Sequence, residues 1–146
     1  EQSITVCGYG AMTVNNEPAS APGDIRGTLF SFFLGHHPEY TPHGLHKYAW
    51  DPVGRRLVEA WVCTSVSSPN SVPFVSLASD LVYTCGTRDR KWTIEAVDWT
   101  TGEPRFHYVL GGAQHNTLGG GVTIDDDGRL LFGTIFGKTR ILRTAG

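Results

Sequence analysis

The segments "YAWDPVGRRLVEAWV" (residues 48–62) and "EAVDWTTGEPRFHYVL" (residues 95–110) are two copies of one pattern, and this pattern decides the fold. Each copy contains an Ala, an Asp two residues later, a turn with a Gly, and a strand that carries an aromatic residue near its end. A spacing of 47 residues relates Ala49 to Ala96, Asp51 to Asp98, Trp61 to Tyr108, Val75 to Val122 and Leu77 to Ile124. The repetition predicts consecutive copies of one structural unit.

Most of the remaining sequence also indicates an all-β fold. Short apolar or alternating runs, rich in β-branched and aromatic residues, are separated by clusters of Gly, Asp, Pro and Asn, which is typical of strands and turns. No long window has the 3.6-residue period of a helix. A period in the forties with four short strands is typical of one β-propeller blade. We therefore expect a β-propeller segment of about three four-stranded blades, with a β-sandwich of about ten strands as the alternative.

The predicted segment is a single domain, residues 1–146, whose first and last blades are incomplete. The partial first blade covers residues 1–62 and has a long insertion, residues 9–44, between its second and third strands. A complete blade covers residues 72–110, and a partial blade covers residues 120–146. The predicted strands are 4–8, 45–51, 55–62, 72–77, 80–85, 91–98, 105–110, 121–124, 129–134 and 139–143. Because a propeller closes with about four to eight blades, we expect another chain, or copies of this one, to complete the ring.

Two motifs resemble known propeller families. "AVDWTTG" (residues 96–102) resembles the A-x-D-x-x-T-G repeat of quinoprotein-type propellers. "SPNSVPFVSLASDLVYT" (residues 68–84) is similar to the repeat of gluconolactonase and strictosidine synthase-like propellers. The resemblance covers about half of the chain, chiefly residues 47–134, and implies a propeller architecture. The gluconolactonase likeness also implies a hard-cation ligand at Asn70, which is otherwise interpreted as a turn residue that hydrogen-bonds its own backbone.

The charge of the chain argues against nucleic acid and membrane partners. Its 14 acidic and 12 basic residues give a formal charge of -2, with no long run of either sign. No apolar run approaches the roughly 20 residues that a membrane-spanning helix needs. The first residues lack the basic start and apolar stretch of a signal peptide, so a secreted form would be one already processed, and the compartment stays open.

Loop placement in a propeller predicts a binding site at one mouth of the ring. The connections between blades, and the loops between second and third strands, emerge at the same end because antiparallel strands alternate in direction. The insertion 9–44 is a candidate binding loop, since long insertions in compact folds are usually functional. The residues expected here to bind a small molecule are His36, His37, Arg88, Asp89, His115 and Asn116. Those expected to bind a divalent metal ion are His43, His46 and Asn70.

The chemistry of this mouth is open to several interpretations. Imidazole nitrogen binds zinc, copper, iron or nickel, and His43 and His46 are close enough in sequence to reach one ion. The histidines are otherwise hydrogen-bonding groups for a ligand, or solvated loop residues. Arg88 and Arg90 around Asp89 form either a fork for a carboxylate or phosphate, or a plain hairpin tip with a surface ion pair. No spacing selects a catalytic residue.

Two functions are compatible with these expectations. The first is a small-molecule-binding propeller that acts as a metal-assisted hydrolase or lactonase, in which a bound ion polarises a carbonyl. The alternative is a non-catalytic assembly module whose exposed blade edges recruit other chains and so complete the ring.

The cysteines and an acidic cluster are given structural interpretations. Cys7, Cys63 and Cys85 permit at most one disulfide, and we interpret them as buried apolar residues, with a bridge between Cys63 and Cys85 as the alternative. "DDDG" (residues 125–128) is expected to be a hairpin turn rather than a calcium loop. The four tryptophans are expected to pack between blades.

Overall fold

The computed structural model describes residues 3–7, 44–66, 68, 71–89, 91–112, 115, 117, 120–134 and 137–141. These residues form ten β-strands and contain no α-helix. The strands are β1 (Ser3–Cys7), β2 (Leu45–Asp51), β3 (Arg56–Cys63), β4 (Phe74–Ser76), β5 (Leu81–Arg88), β6 (Lys91–Asp98), β7 (Pro104–Gly111), β8 (Val122–Ile124), β9 (Leu130–Thr134) and β10 (Gly137–Ile141). The expectation of an all-β chain is confirmed, and each predicted strand overlaps an observed one, with bounds that differ by at most three residues.

The strands form three antiparallel sheets, each a meander of sequence neighbours. The first sheet has the order β1-β2-β3, the middle sheet β4-β5-β6-β7, and the third sheet β10-β9-β8. The middle sheet corresponds to the predicted complete unit, residues 72–110, and the two flanking sheets correspond to the partial units. Within the described ranges the strands are divided among three sheets, and none of these sheets closes into a barrel.

The middle sheet is buried on both faces. Side chains alternate along a strand, so Val82 and Val97 lie on one face and Tyr83 and Ile94 on the other. The first core, between the first and middle sheets, contains Leu45, Trp61, Cys63, Val66, Val82, Val97 and Trp99. The second core, between the middle and third sheets, contains Tyr83, Cys85, Ile94, Ala96, Val122, Leu130 and Phe132. The three sheets are therefore stacked face to face.

The 47-residue repeat of the sequence is reproduced in the strand pairing. Lys47 on β2 pairs with Trp61 on β3, and their counterparts Ile94 and Tyr108 pair in the same way on β6 and β7. Each pair occupies the same place in its sheet. Residues that are 47 positions apart in the sequence therefore also occupy equivalent positions in the two sheets.

Asp125 caps the turn between β8 and β9. Its Oδ1 accepts hydrogen bonds from the backbone N–H groups of Asp127 at 3.1 Å and Arg129 at 2.8 Å. Gly128 has a φ of 77°, the left-handed conformation that favours glycine. The prediction of a hairpin turn at residues 125–128 is confirmed.

Cys63 and Cys85 are both buried and both free. Cys63 belongs to the first core and Cys85 to the second, so β5 and its sheet separate the two thiols. The alternative of a bridge between them is therefore wrong. Trp61, Trp92 and Trp99 are buried as predicted, whereas Trp50 is 40% exposed. In the part of the chain that the structure covers, no helix is long and apolar enough to cross a membrane.

Candidate functional site

The predicted mouth corresponds to one end of the three stacked sheets. An isolated parallel bridge joins Val72 to Gly121, so the segments that lead into β4 and β8 enter side by side at this end. The tip of the β5-β6 hairpin lies at the same end, because antiparallel strands alternate in direction. β1 ends here and β2 begins here, and these two strands flank the predicted insertion 9–44.

A buried ion pair lies close to this end, on the face of the middle sheet that is turned towards the first sheet. Arg88 Nε and Nη2 each donate a hydrogen bond of 2.8 Å to a different carboxylate oxygen of Glu95. The Thr93 hydroxyl donates a third bond, of 2.6 Å, to Glu95 Oε1. The side chain of Glu95 is 1% exposed and that of Arg88 is 31% exposed. The hydrogen bonds with Glu95 raise the pKa of Arg88 above its ordinary value.

The geometry of this pair fixes the direction of the guanidinium group. Gly86, which pairs with Thr93, lies between Arg88 and Glu95 on the same sheet face and has no side chain there. Two of the three guanidinium nitrogens bind Glu95, and Nη1 is the nitrogen that this carboxylate does not occupy. Glu95, which lies further from the hairpin tip, therefore fixes the side chain of Arg88. The sequence suggested a surface ion pair at the hairpin tip as one alternative, and in the structure Arg88 pairs with Glu95.

The connector between β3 and β4 is fastened to β5 beside this pair. Ser68 Oγ lies 2.5 Å from Thr84 Oγ1 and donates a bond of 3.1 Å to the carbonyl of Cys85. Ser71 Oγ accepts a bond of 3.1 Å from the backbone N–H of Cys85. Because these polar groups are buried, each bond satisfies a group that would otherwise be costly to remove from water. Ser68 and Ser71 are thus fixed against β5.

Asp89 and His115 both lie at this end of the sheets, and after Glu95 the negative charge of Asp89 also contributes to the raised pKa of Arg88. Asp89 is exposed at the hairpin tip, with a φ of 48°, a conformation that Asp tolerates better than most residues. The backbone N–H of His115 donates to the carbonyl of Gly112 at 3.0 Å, in the connector between β7 and β8. Its ring Nδ1 is buried and has no hydrogen-bond partner among the described residues.

His46 lies on a different surface from the other predicted mouth residues. Its neighbours Leu45 and Lys47 are directed towards the middle sheet, so the alternation along β2 directs His46 to the opposite face of the first sheet. There Nδ1 lies 3.2 Å from Glu59 Oε2, and the ring stacks on Tyr48 with centroids 6.0 Å apart. The structure therefore does not bring His46 together with Arg88.

Five of the predicted site residues lie outside the described residues: His36, His37, His43, Asn70 and Asn116. In the described portion, no group of three or more His, Cys, Asp or Glu side chains has an arrangement that could hold a metal ion. The metal site expected at His43, His46 and Asn70 stays a prediction.

Glu95 is a residue of this candidate site that was not predicted from the sequence. It lies in "WTIEAVD" (residues 92–98), where alternation places it on the same strand face as Thr93 and Val97. A strand flanked by apolar residues on both faces is buried on both, so a Glu within it needs a cationic partner. That signal was present in the sequence, but only the β5-β6 register identifies Arg88 as the partner.

A groove of about 500 Å³ lies elsewhere, on the third sheet. Thr123, Leu131, Gly133 and Lys138 are among the residues that line it. Leu131 alternates with the buried Leu130 and Phe132, so the groove opens on the sheet face that is directed away from the second core. Of the predicted ligand and metal residues, those that the structure describes do not line it.

Comparison with known proteins finds a distant relative from an archaeon. Over 145 residues, 97% of this chain, the sequence is 32% identical to an uncharacterized protein of Archaeoglobus fulgidus. The chain spans 28% of the length of that relative. No family model matches, and no solved structure matches.

Proposed function

We propose that this chain is a β-propeller segment that supplies three consecutive blades to a ring, and that its first role is assembly with the further blades that close the ring. The main support for this proposal is a difference in burial between two residues at equivalent positions of the repeat. Trp50 and Val97 are 47 residues apart and lie on the same relative face of their sheets. Val97 is 0% exposed because the first sheet covers it, whereas Trp50 is 40% exposed. A further blade is the cover that the repeat predicts for Trp50.

The outer face of the first sheet supports this proposal beyond Trp50. Leu57 pairs with Trp50 and Val62 pairs with His46, and these two aliphatic residues are 47% and 37% exposed. Together with Trp50 they are three exposed apolar side chains on one sheet face, on either side of the His46–Glu59 pair, and such exposed apolar surface supports an interaction surface there. The groove on the third sheet supplies a second uncovered face at the other end of the stack.

Native mass measurement tests the assembly proposal. At micromolar concentration we expect the isolated chain of 15.9 kDa to self-associate through its uncovered faces. Trp50→Glu is expected to shift the distribution towards the monomer. Val53→Glu is the matched control, because Val53 is 93% exposed in a turn and lies outside the sheet face. A stably folded monomer that shows no association, or an assembly that Trp50→Glu leaves intact, contradicts the proposal.

The second candidate function is small-molecule binding at the mouth. The observation that favours it is the fixed orientation of Arg88, which leaves Nη1 unoccupied by Glu95 at the end where three connections meet. A guanidinium group that is already oriented loses little entropy when it binds a carboxylate or phosphate. The proposed ligand is therefore a small anion.

Titration with inorganic phosphate and with malonate tests this second candidate. Binding is expected to move the imidazole proton resonances of His115, which lies on the adjoining connector, and to strengthen in Asp89→Lys, which replaces a negative charge next to Arg88 with a positive one. Glu59→Gln, on the opposite face of the first sheet, is the control for nonspecific ionic effects. Resonances of His115 that stay constant up to millimolar anion contradict a site at this mouth.

If small-molecule binding at the mouth is accompanied by catalysis, the proposed activity is that of a metal-assisted hydrolase or lactonase. It is supported by the histidine content of residues 35–46 and by the placement of their flanking strands at the mouth. Its test is a stoichiometric metal ion that survives dialysis in the parent chain and is lost from the His43→Ala/His46→Ala double variant. A parent chain that binds no zinc or calcium in titration contradicts it.

A further inference from the structure

Each sheet of the stack has two different faces, which we call the front and the back. The front is the face that carries Val97 on the middle sheet and its counterpart Trp50 on the first sheet. The back is the opposite face, which carries Ile94 on the middle sheet and its counterpart Lys47 on the first sheet. Each unit of the repeat therefore presents the same two surfaces.

Both junctions between the sheets join a back to a front. In the first core, the back of the first sheet, with Leu45 and Trp61, packs on the front of the middle sheet, with Val97. In the second core, the back of the middle sheet, with Ile94, packs on the front of the third sheet, with Phe132. In the described part of the chain, the two faces that no sheet covers are therefore the front of the first sheet and the back of the third.

The front of the first sheet projects a large aromatic side chain. Trp50 and its cross-strand partner Leu57 are both exposed. Glu59 lies on the same face beside His46, and 50% of its side chain is exposed. This front face therefore combines apolar surface with a carboxylate.

The back of the third sheet carries the groove of about 500 Å³. Thr123, Leu131 and Gly133 line it, and Gly133 has nothing within 4 Å of an added Cβ, so the groove is open there. Lys138 pairs with Gly133, lines the same groove and is exposed. A groove of this volume has room for an indole ring. This back face therefore combines an open apolar groove with a positive charge.

We propose that the groove is the docking site for the front face of a second copy of this chain, with Trp50 of that copy packed beside Leu131. The junction continues the back-to-front order of the two cores. Glu59 and Lys138 have opposite charges, so a front attracts a back, whereas two fronts or two backs bring like charges together. The inference rests on the assembly proposal and specifies its partner and its orientation.

The same junction, formed twice, closes a ring of two copies. An interface between different faces of identical chains gives a ring when the rotation between the copies closes. With three sheets in each chain, two copies supply six sheets, within the range of about four to eight blades, whereas three copies supply nine. The expected assembly is therefore a dimer with a mass of twice 15.9 kDa.

Native mass spectrometry of two face variants tests the orientation. Trp50→Glu blocks the front and Leu131→Glu blocks the back, so each variant alone is expected to be monomeric at concentrations where the parent chain is dimeric. A 1:1 mixture is expected to form a heterodimer as the concentration is raised, because one intact front and one intact back remain. Leu77→Glu is the matched control for Leu131→Glu, since Leu77 is 76% exposed in a turn. It is expected to leave the parent dimer intact.

The other orientations give different patterns, and each of them overturns the inference. A front-to-front contact leaves Leu131→Glu dimeric on its own, and a back-to-back contact leaves Trp50→Glu dimeric on its own. A mixture that stays monomeric while the parent chain is dimeric also overturns it.

A charge exchange replaces Leu131→Glu if that variant does not fold. Lys138→Glu changes an exposed residue of the same groove and is expected to weaken the dimer, and Glu59→Lys in the same chain is expected to restore it. Absence of restoration overturns the back-to-front contact. A parent chain that stays monomeric contradicts the assembly proposal and this inference together, whereas a parent chain that assembles in another orientation contradicts this inference alone.

Discussion

Asp51 and Asp98, 47 residues apart in the sequence, cap equivalent turns in the same way. Oδ1 of each carboxylate accepts hydrogen bonds from the backbone N–H groups two and three residues later, at 3.0 and 3.0 Å for Asp51 and at 3.0 and 2.7 Å for Asp98. Oδ2 of each lies near an arginine of the following strand, Arg56 at 3.8 Å and Arg105 at 3.3 Å. The Asp that recurs in the sequence repeat thus caps the turn in both units, which explains why Asp is found at both positions.

The first prediction concerns the pH dependence of stability that arises from Asp98. The backbone N–H of Thr101 is the main cause that lowers the pKa of Asp98 below 3.8, with Arg105 contributing in the same direction against desolvation. A carboxyl whose pKa is lowered by folding stabilises the protein above its unfolded pKa, and this contribution is lost as the pH falls through the folded pKa. Asp98→Asn is therefore expected to flatten the fall in melting temperature from about pH 5 to about pH 2.

The control for this prediction is Thr100→Ala, which keeps the Asp98 carboxylate and the backbone N–H of residue 100. It should retain the acid-induced loss of the parent chain. If the melting temperature falls equally with pH in the parent chain and in Asp98→Asn, another group determines the stability in acid.

The second prediction concerns the packing of Gly102 against Trp61. Gly102 has a φ of 80°, and an added Cβ would lie 2.6 Å from Trp61 Cδ2. Gly102→Ala combines a left-handed conformation with a steric overlap in the first core, so we expect a loss of about 2 to 5 kcal/mol in the free energy of unfolding. Urea denaturation measures this loss.

Two other glycines separate the causes. Gly128 has a φ of 77° and nothing within 4 Å of an added Cβ, so Gly128→Ala is expected to cost only the conformational part, about 1 kcal/mol. Gly133 has open space and no positive φ, so Gly133→Ala is expected to change stability little. Equal effects of Gly102→Ala and Gly128→Ala would exclude the steric contact as the main cause.

The third prediction concerns the buried pair of Arg88 and Glu95. Glu95→Ala leaves the Arg88 guanidinium and the Thr93 hydroxyl without their acceptor, and we expect a loss of about 3 to 5 kcal/mol. Glu59→Ala, which removes a half-exposed carboxylate beside His46, is expected to cost under about 1 kcal/mol.

The double variant Arg88→Met/Glu95→Leu distinguishes the cost of an unpaired buried charge from the cost of lost packing. Since neither charge is then left unpaired, the double variant is expected to recover most of the stability lost by Glu95→Ala. If it stays as unstable as the single variant, the packing of this region rather than an unpaired charge determines the loss.

The fourth prediction concerns the reactivity of Cys85. Burial raises the pKa of its thiol from 9.0 to about 12, against hydrogen bonds with Ser71 and Thr117 that lower it. At pH 8 the folded protein is expected to protect Cys85 from a thiol reagent, and peptide mass spectrometry is expected to find it labelled only in denaturant. Because the folded pKa is raised, stability is expected to fall as the pH rises from about 9 towards about 12. Rapid labelling of Cys85 at pH 8 without denaturant would contradict this burial.

Strand positions were the most predictable part of the fold. β2 and β6 have the predicted bounds, residues 45–51 and 91–98, because turn residues and alternating apolar side chains mark both ends. β4 is shorter than predicted, Phe74–Ser76 instead of residues 72–77, since Val72 forms only an isolated bridge and Pro73 has no N–H to donate. β10 begins two residues earlier than predicted, at Gly137.

The candidate site was predictable only in part. Strand alternation indicates a common end of the sheets for the β5-β6 tip, with Arg88 and Asp89, and for the β7-β8 connector, with His115, whereas their role in binding stays a prediction. The surface that carries His46 was not predictable from clustering in sequence, because one step along a strand changes the face on which a side chain lies.

The sequence by itself determined the repeat, the turn caps and the division into short strands, since these depend on local backbone preferences and on a period of two. Tertiary structure alone decided which equivalent residues are buried and which side chains meet. Trp61 and Tyr108 have the same place in the repeat but differ in exposure, 8% against 50%, because only Trp61 has a neighbouring turn packed over it. Burial is a property of the neighbouring sheet, and no local pattern in a strand specifies whether that neighbour is present.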